Sequence, residues 1–347
     1  MDQLIQKYYP RNLDYTVIKH TSISPQIIQS LVEEIKDSKY SSFVSSQYLS
    51  MCNTHEIHKT LHCTLHIISP STEVPPQLLI LRTLRRVECI MNIYGISNKK
   101  HLTFWLLPTS HLRKFPKNKN LQVSAEHING GFTYSNANSG TIFVFRREEF
   151  PKVFLHETLH HAPIDTHSAW SKTDLQKIYS YFRLDTMHCN SQMQCTHTDL
   201  RPNEAWIETW AELYHMGFLQ YEYQIPWNTL WNAEKKWACL QAKRVLEHQK
   251  AQMDGKWREE THAYSYMVLR AALLWCAPKL LDTYSFNKTI VASTTKTTNI
   301  TRINTTQLAQ FMFTCFNNSS FQKCLRETKL PPLSRNSSFR MTVFGDL

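Results

Sequence analysis

Glycine is scarce, with seven residues in a chain of 347. A glycine-rich phosphate cradle is therefore not expected, and neither GxGxxG nor GxxxxGK[ST] occurs. No stretch approaches the 18 or so uninterrupted apolar residues of a membrane-spanning helix. The N-terminal residues MDQLIQKYYPRNLDYT lack the apolar run of a signal peptide, so an intracellular, cytoplasmic protein is expected. The nine cysteines are odd in number and scattered, unlike a secreted disulfide framework. Six Asn-x-Ser/Thr sequons, at Asn287, Asn299, Asn304, Asn317, Asn318 and Asn336, carry little weight without a leader. There is no internal repeat.

What is present is enough for a sizeable core: 42% hydrophobic and 12% aromatic residues. Basic residues exceed acidic ones, 39 to 28. Part of the excess lies between Arg82 and Lys119, in Arg85, Arg86, Lys99, Lys100, Arg113, Lys114 and Lys117. These charges form either a solvated basic face, the reading favoured here, or a contact for a polyanion. No nucleic-acid module accompanies them.

Patterning gives a mixed α/β chain. Residues 12–20 and 60–69 alternate as strands do, and 24–37 read as a helix. Pro75 and Pro76 open a long helical pattern that Gly95 stops. LTFWLLP (102–108) reads as a buried strand and 109–125 as a basic loop. GGFTYS (130–135) is a short strand, SNANSG (135–140) a turn and TIFVFR (141–146) a strand. A helix over 149–161 follows, and another runs from Pro202 to Gly217. Residues 228–282 look mostly helical; a polar Thr/Asn-rich stretch comes next, then the apolar LAQFMFTCF. The last 25 or so residues form a tail or a wrapping segment. We divide the chain into an N-terminal α/β segment (1–75), a subdomain ending in the 149–161 helix (76–161), an insertion (162–200), a helical subdomain (201–285) and a polar C-terminal region (286–347).

The 149–161 helix carries HETLH. His156 and His160 are four apart and face one way on a helix, so both imidazoles can reach one ion. Glu157 lies one step round, beside the open coordination position, where a carboxylate can take a proton from water. With 17 histidines such a motif arises by chance often enough that context must support it. Here it follows an apolar strand and has an apolar face of Val153, Phe154 and Leu159. Zinc also needs a third protein ligand. Downstream, NEAWIE places Glu204, Glu208 and Glu212 on one helix face and Trp206, Trp210 and Leu213 on another. A glutamate stripe is ordinarily a solvated face. Next to a zinc motif, Glu204 is the candidate third ligand.

With HETLH followed by NEAWIE, the chain resembles the gluzincin metallopeptidases, the thermolysin-like branch of the zincins. The resemblance covers about residues 76–217. It implies an α+β zincin-like core: a twisted mixed sheet with an antiparallel edge strand, a long backing helix and an active-site helix. It implies peptide hydrolysis with one catalytic Zn2+, Glu204 as third ligand and Glu208 hydrogen-bonded to His156. Glu208 stands where thermolysin-like enzymes usually have Asp. By the same resemblance, Gly131, Phe132 and Thr133 would lie on the edge strand that pairs with an extended peptide or protein substrate.

The metzincin pattern HExxHxxGxxH fits less well. Its glycine position is Pro163 and its third-histidine position is Thr166, with His167 one residue late. His161 and His167 are expected at the surface or beside the ligands. Within the insertion, His188-Cys189 and Cys195-Thr196-His197 could form a structural zinc site or a disulfide-closed loop, although unlinked cysteines are favoured. The donor that stabilises an oxyanion is sought in THAYSYMVLR, at His262 or Tyr264, with Tyr266 read as a packing aromatic. Two other classes remain: a catalytically idle zinc-binding structural or interaction protein, and a basic nucleic-acid-binding protein in which HETLH is accidental.

Overall fold

The computed structural model describes all residues except 37–43, 45, 117–121, 135–139, 167–169, 185–186, 190–194, 198–200, 253, 284–303, 333–337 and 346–347, and only the backbone of 46, 187–189, 195–197 and 283. Helix α1 (Asp2–Tyr8) precedes β1 (Thr16–His20), α2 (Pro25–Ile35), α3 (Ser46–Met51), β2 (Thr54–Lys59) and β3 (Cys63–Ser69). Next come α4 (Gln77–Tyr94), β4 (Leu102–Thr109), α5 (Ala125–Ile128), β5 (Gly131–Thr133), β6 (Gly140–Arg146) and α6 (Phe150–Leu159). The remainder is α7 (Lys172–Phe182), β7 (Met187–Cys189), β8 (Cys195–His197), α8 (Pro202–Tyr223) and α9 (Trp227–Lys250). A π-helix (Ser265–Leu269), α10 (Arg270–Trp275), α11 (Ala277–Thr283), α12 (Thr305–Phe316) and α13 (Ser319–Glu327) complete it.

Six strands form one mixed sheet in the order β1-β2-β3-β4-β6-β5. The first three pair antiparallel as a meander. Strands β3, β4 and β6 are parallel, and α4 supplies the crossover from β3 to β4. Strand β5 returns antiparallel to β6 and ends the sheet. The sheet thus joins the 1–75 segment to the 76–161 segment. Strand β2 is absent from the sequence expectation because its inward positions are polar. His58 is held between the Tyr15 hydroxyl at 2.6 Å and Glu56 at 3.0 Å, and His55 pairs with His66 at 3.0 Å.

One core lies between the sheet and α4, α6 and α8, with Trp206, Trp210 and Phe154 fully buried. A second joins Phe132, Phe143 and Phe145 to Leu31 and Ile35 of α2 on the other face. Every residue of α6 is buried. So are Glu204, Glu208 and Glu212 on α8, which overturns a solvated glutamate face. Gly95 closes α4 at φ 65, the left-handed cap expected of it.

Two members of the supposed basic surface are buried instead. Arg86 on α4 donates to Glu222 of α8 from Nε at 2.9 Å and Nη2 at 2.6 Å. Arg113 pairs with Glu149 at 2.8 Å, and both side chains are fully buried. A guanidinium offers the planar fork that such a site needs. These two arginines are structural, not a solvated face. Of the two readings of the C-terminus, the described residues 338–345 fit a wrapping segment. Met341 and Thr342 donate backbone N–H groups to Glu149 at 3.2 and 2.8 Å, and Trp237 donates to the Arg340 carbonyl at 3.0 Å. The Thr/Asn-rich stretch and the SNANSG turn lie largely outside the described residues.

Arg86→Met would leave Glu222 buried and short of its cation. We expect a loss of about 3–5 kcal/mol in urea unfolding, part of which the Arg86→Met/Glu222→Met double variant should restore. A loss below about 1 kcal/mol would mean that the pair does not hold α4 to α8.

Candidate metal centre

Helix α6 presents His156 and His160 on one face, and α8 crosses it so that Glu204 meets both. The ligand atoms of the three side chains all lie within 4.8 Å of one another. His156 Nε2 is 3.1 Å from His160 Nε2, and Glu204 Oε2 is 3.4 and 3.5 Å from the two nitrogens. Each ring is fixed from behind. His156 Nδ1 lies 2.8 Å from Glu208 Oε2, and His160 Nδ1 lies 2.9 Å from Asp165 Oδ2. A carboxylate oxygen only accepts, so both Nδ1 atoms carry protons. The two Nε2 lone pairs and the Glu204 oxygen therefore point at one place. Three buried acceptors aimed at each other repel unless a cation lies among them.

The protonation tendencies follow from this crowding. Burial pushes the His156 pKa down to about 4. Burial also opposes charge on His160, but Glu204 and Asp165 outweigh it and hold its pKa well above the ordinary value. Glu204 is buried too, yet the charge on His160 outweighs burial and keeps it well below the usual carboxylate range. Glu157, buried in the wall beside the ligands, is raised to about 8 chiefly by desolvation. A proton on His160 thus takes the cation's place in the bare protein.

A pocket of about 120 Å3 opens onto this cluster. It is lined by Gly131, Phe132 and Thr133 of β5, by Glu157, by Arg201 and Asn203 at the start of α8, and by His262 and Tyr266. Among the described residues, β5 pairs with β6 alone and is the last strand of the sheet.

Several expectations need correction. Tyr264 does not reach the pocket: it is 1% exposed and packs against Phe182 and Trp257 in the core. Tyr266, expected to be packing, donates to Glu204 Oε2 at 3.0 Å. Residues 262 and 266 are one helical turn apart and share a face, with Tyr266 N–H bonded to the His262 carbonyl at 3.0 Å. Tyr264 points away from that face. The π-helix that begins at Ser265 is the type of irregularity that often marks a functional site.

Asp165, the carboxylate behind His160, is an addition to the sequence-derived set. Its signal was an acid five residues after the second histidine. Asn203 of the Asn-Glu pair donates to its other oxygen at 3.4 Å. His161 lies 2.9 Å from the Thr133 hydroxyl and so ties α6 to the edge strand. Thr166, at the metzincin third-histidine position, accepts from Trp170 at 3.1 Å and is not one of the three clustered side chains. His167 lies outside the described residues. Cys189 and Cys195 face each other across the β7–β8 ladder, but their side chains lie outside the described set, as do those of His188 and His197.

Compared with known protein families, curated proteins and solved structures, the chain matches none. No helix among the described residues is long and apolar enough to cross a membrane.

A divalent cation must displace the His160 proton, so its apparent affinity should rise with pH. Calorimetric titration with Co2+ in buffers of differing ionisation enthalpy should register release of about one proton or more. Asp165→Asn should weaken binding by about 10–100-fold while leaving the fold intact. Metal uptake without proton release would contradict the extra proton assigned to His160.

Proposed function

We propose that this protein is a zinc-dependent peptidase of the gluzincin type, with a zincin-like core. One observation carries the reading: two Nε2 lone pairs and a carboxylate oxygen converge beside Glu157, in a pocket walled by the edge strand β5. The three edges, 3.1, 3.4 and 3.5 Å, suit zinc. Neighbouring corners of a tetrahedron drawn at about 2.0–2.1 Å from its centre are roughly 3.3 Å apart. Two nitrogens and one oxygen form the donor set of a catalytic site that keeps its fourth position open.

When bound, zinc would polarise the scissile carbonyl and lower the pKa of water to about 7. The chain's own residues supply the rest. Glu157 accepts the proton of the attacking water and returns it to the leaving amine. Glu208 and Asp165 keep His156 and His160 in the one tautomer that can ligate. Strand β5 pairs with an extended peptide backbone, with Gly131 and Thr133 supplying main-chain groups. Tyr266 and His262 supply donors for the oxyanion as the carbonyl becomes tetrahedral.

A second reading is a zinc-holding protein without turnover, favoured by the small pocket of about 120 Å3. The accidental-motif reading loses support, because two of its basic residues, Arg86 and Arg113, are buried in ion pairs.

Metal analysis of four proteins separates these readings. We expect about one zinc per chain in the wild type and in Glu157→Gln, and little in His160→Ala or Glu204→Ala. Glu157→Gln should lower peptide hydrolysis by about 10²–10⁴-fold. Zinc in both of the first two proteins, with no hydrolysis of any member of a random peptide library, would favour the idle reading. Unchanged zinc in Glu204→Ala would remove the gluzincin assignment.

Tyr266→Phe should cut kcat by about 10²–10³-fold with little change in KM, measured on any peptide the wild type cleaves. An equal change in KM with kcat preserved would assign Tyr266 to ground-state binding.

A further inference from the structure

With Arg86 and Arg113 buried in ion pairs, part of the basic excess still has no role. Arg82 and Arg85 lie three apart on one face of α4 and line a cleft of about 420 Å3. The cleft is completed by Tyr9, just after α1, and by Tyr221, Glu222 and Gln224 at the end of α8. Its volume falls within the roughly 300–1,000 Å3 of small-molecule sites.

The one carboxylate in the lining does not offset these charges. Glu222 already accepts from Arg86 at 2.9 and 2.6 Å and from the Tyr9 hydroxyl at 2.8 Å. Arg82 rests on the Tyr223 ring, 4.6 Å from its centroid, and donates to the Tyr223 hydroxyl. That contact fixes the guanidinium in place. Arg85 lines the same cleft, and among the described residues its Nε has no hydrogen-bond partner.

We propose that this cleft binds a small organic phosphate, a phosphate monoester with a flat ring of the nucleotide class. Arg82 and Arg85 hold the phosphate, and the Tyr9 and Tyr221 rings pack against the organic body. A planar guanidinium matches two phosphate oxygens at once. The cleft is several times larger than a bare phosphate, and its tyrosine rings, 4.9 Å apart and tilted by 51°, give the body an aromatic wall. A nucleic-acid strand would need a continued track of free cations. On α4 the next arginine, Arg86, is buried and neutralised, so the small ligand is favoured.

The site is independent of the metal centre, and its test is built to keep the two apart. AMP is titrated into the full chain by calorimetry at about 0.15 M salt. We expect saturable binding of one AMP per chain, unchanged in Glu204→Ala and in the surface control Lys323→Gln. Arg85→Gln and Arg82→Gln should each weaken it by about tenfold or more, with melting temperatures showing that both variants fold. Inorganic phosphate should bind about tenfold more weakly than AMP. Absence of saturable AMP binding overturns the proposal, as does AMP binding that survives Arg85→Gln or is lost in Glu204→Ala. Equal affinity for inorganic phosphate removes the organic body and with it the proposal. Binding of a thymidine oligonucleotide of about ten residues without binding of AMP replaces it with a polyanion surface.

Discussion

Glu208 is the residue on which the arrangement of this molecule turns. It sits fully buried on α8 and must be satisfied from both sides. One oxygen takes the Nδ1 proton of His156, and the other pairs with the ammonium of Lys152. Both partners belong to α6, four residues apart. A single carboxylate therefore clamps two helices in one rotational setting, and that setting brings Glu204, one turn earlier on α8, to the two Nε2 atoms. Removing one partner from a buried ion pair costs far more than the pair contributes, which makes the crossing of α6 and α8 intolerant of slippage.

The same logic continues away from the metal centre. Glu149 caps α6 in a left-handed conformation, φ 60, that a non-glycine residue adopts only when its surroundings impose it. Arg113 and the backbone of Met341 and Thr342 supply those surroundings. Thr342 and Val343 also donate to Glu234 on α9. The C-terminal segment thus completes the hydrogen bonding of a carboxylate at the start of α6. Its backbone donors do what water would do at an exposed helix end.

Much of this was legible in sequence wherever one strong local signal decided the outcome. Pro75-Pro76 and Gly95 bounded α4, and the β-branched run TIFVFR marked β6. HETLH and NEAWIE marked α6 and α8, because four-residue spacing on a helix leaves little geometric freedom. What escaped were positions whose burial is decided by a partner distant in sequence. Strand β2 shows no apolar alternation, because its inward histidines are made tolerable by Tyr15, Glu56 and His66. Arg86 and Arg113 look like surface charges until Glu222 and Glu149 arrive from elsewhere in the chain. Tyr264 and Tyr266 were ordered wrongly for a plainer reason. The 262/266 pairing was readable from periodicity, but only a second landmark could say which face met the site.

The two histidines of HETLH, identical in sequence, are made unequal by what stands behind them. His156 has Glu208 behind it, but Lys152 balances that carboxylate and repels a proton on the ring, so burial prevails and the imidazole stays neutral. His160 has Asp165 behind it with Asn203, a neutral amide, as that carboxylate's neighbour, and Glu204 in front. It gathers positive charge. A proton on His160 and a metal ion among the three side chains would each bring positive charge to the cluster. Exchange of one for the other leaves the buried charge of the site less changed than loading an uncharged cavity would.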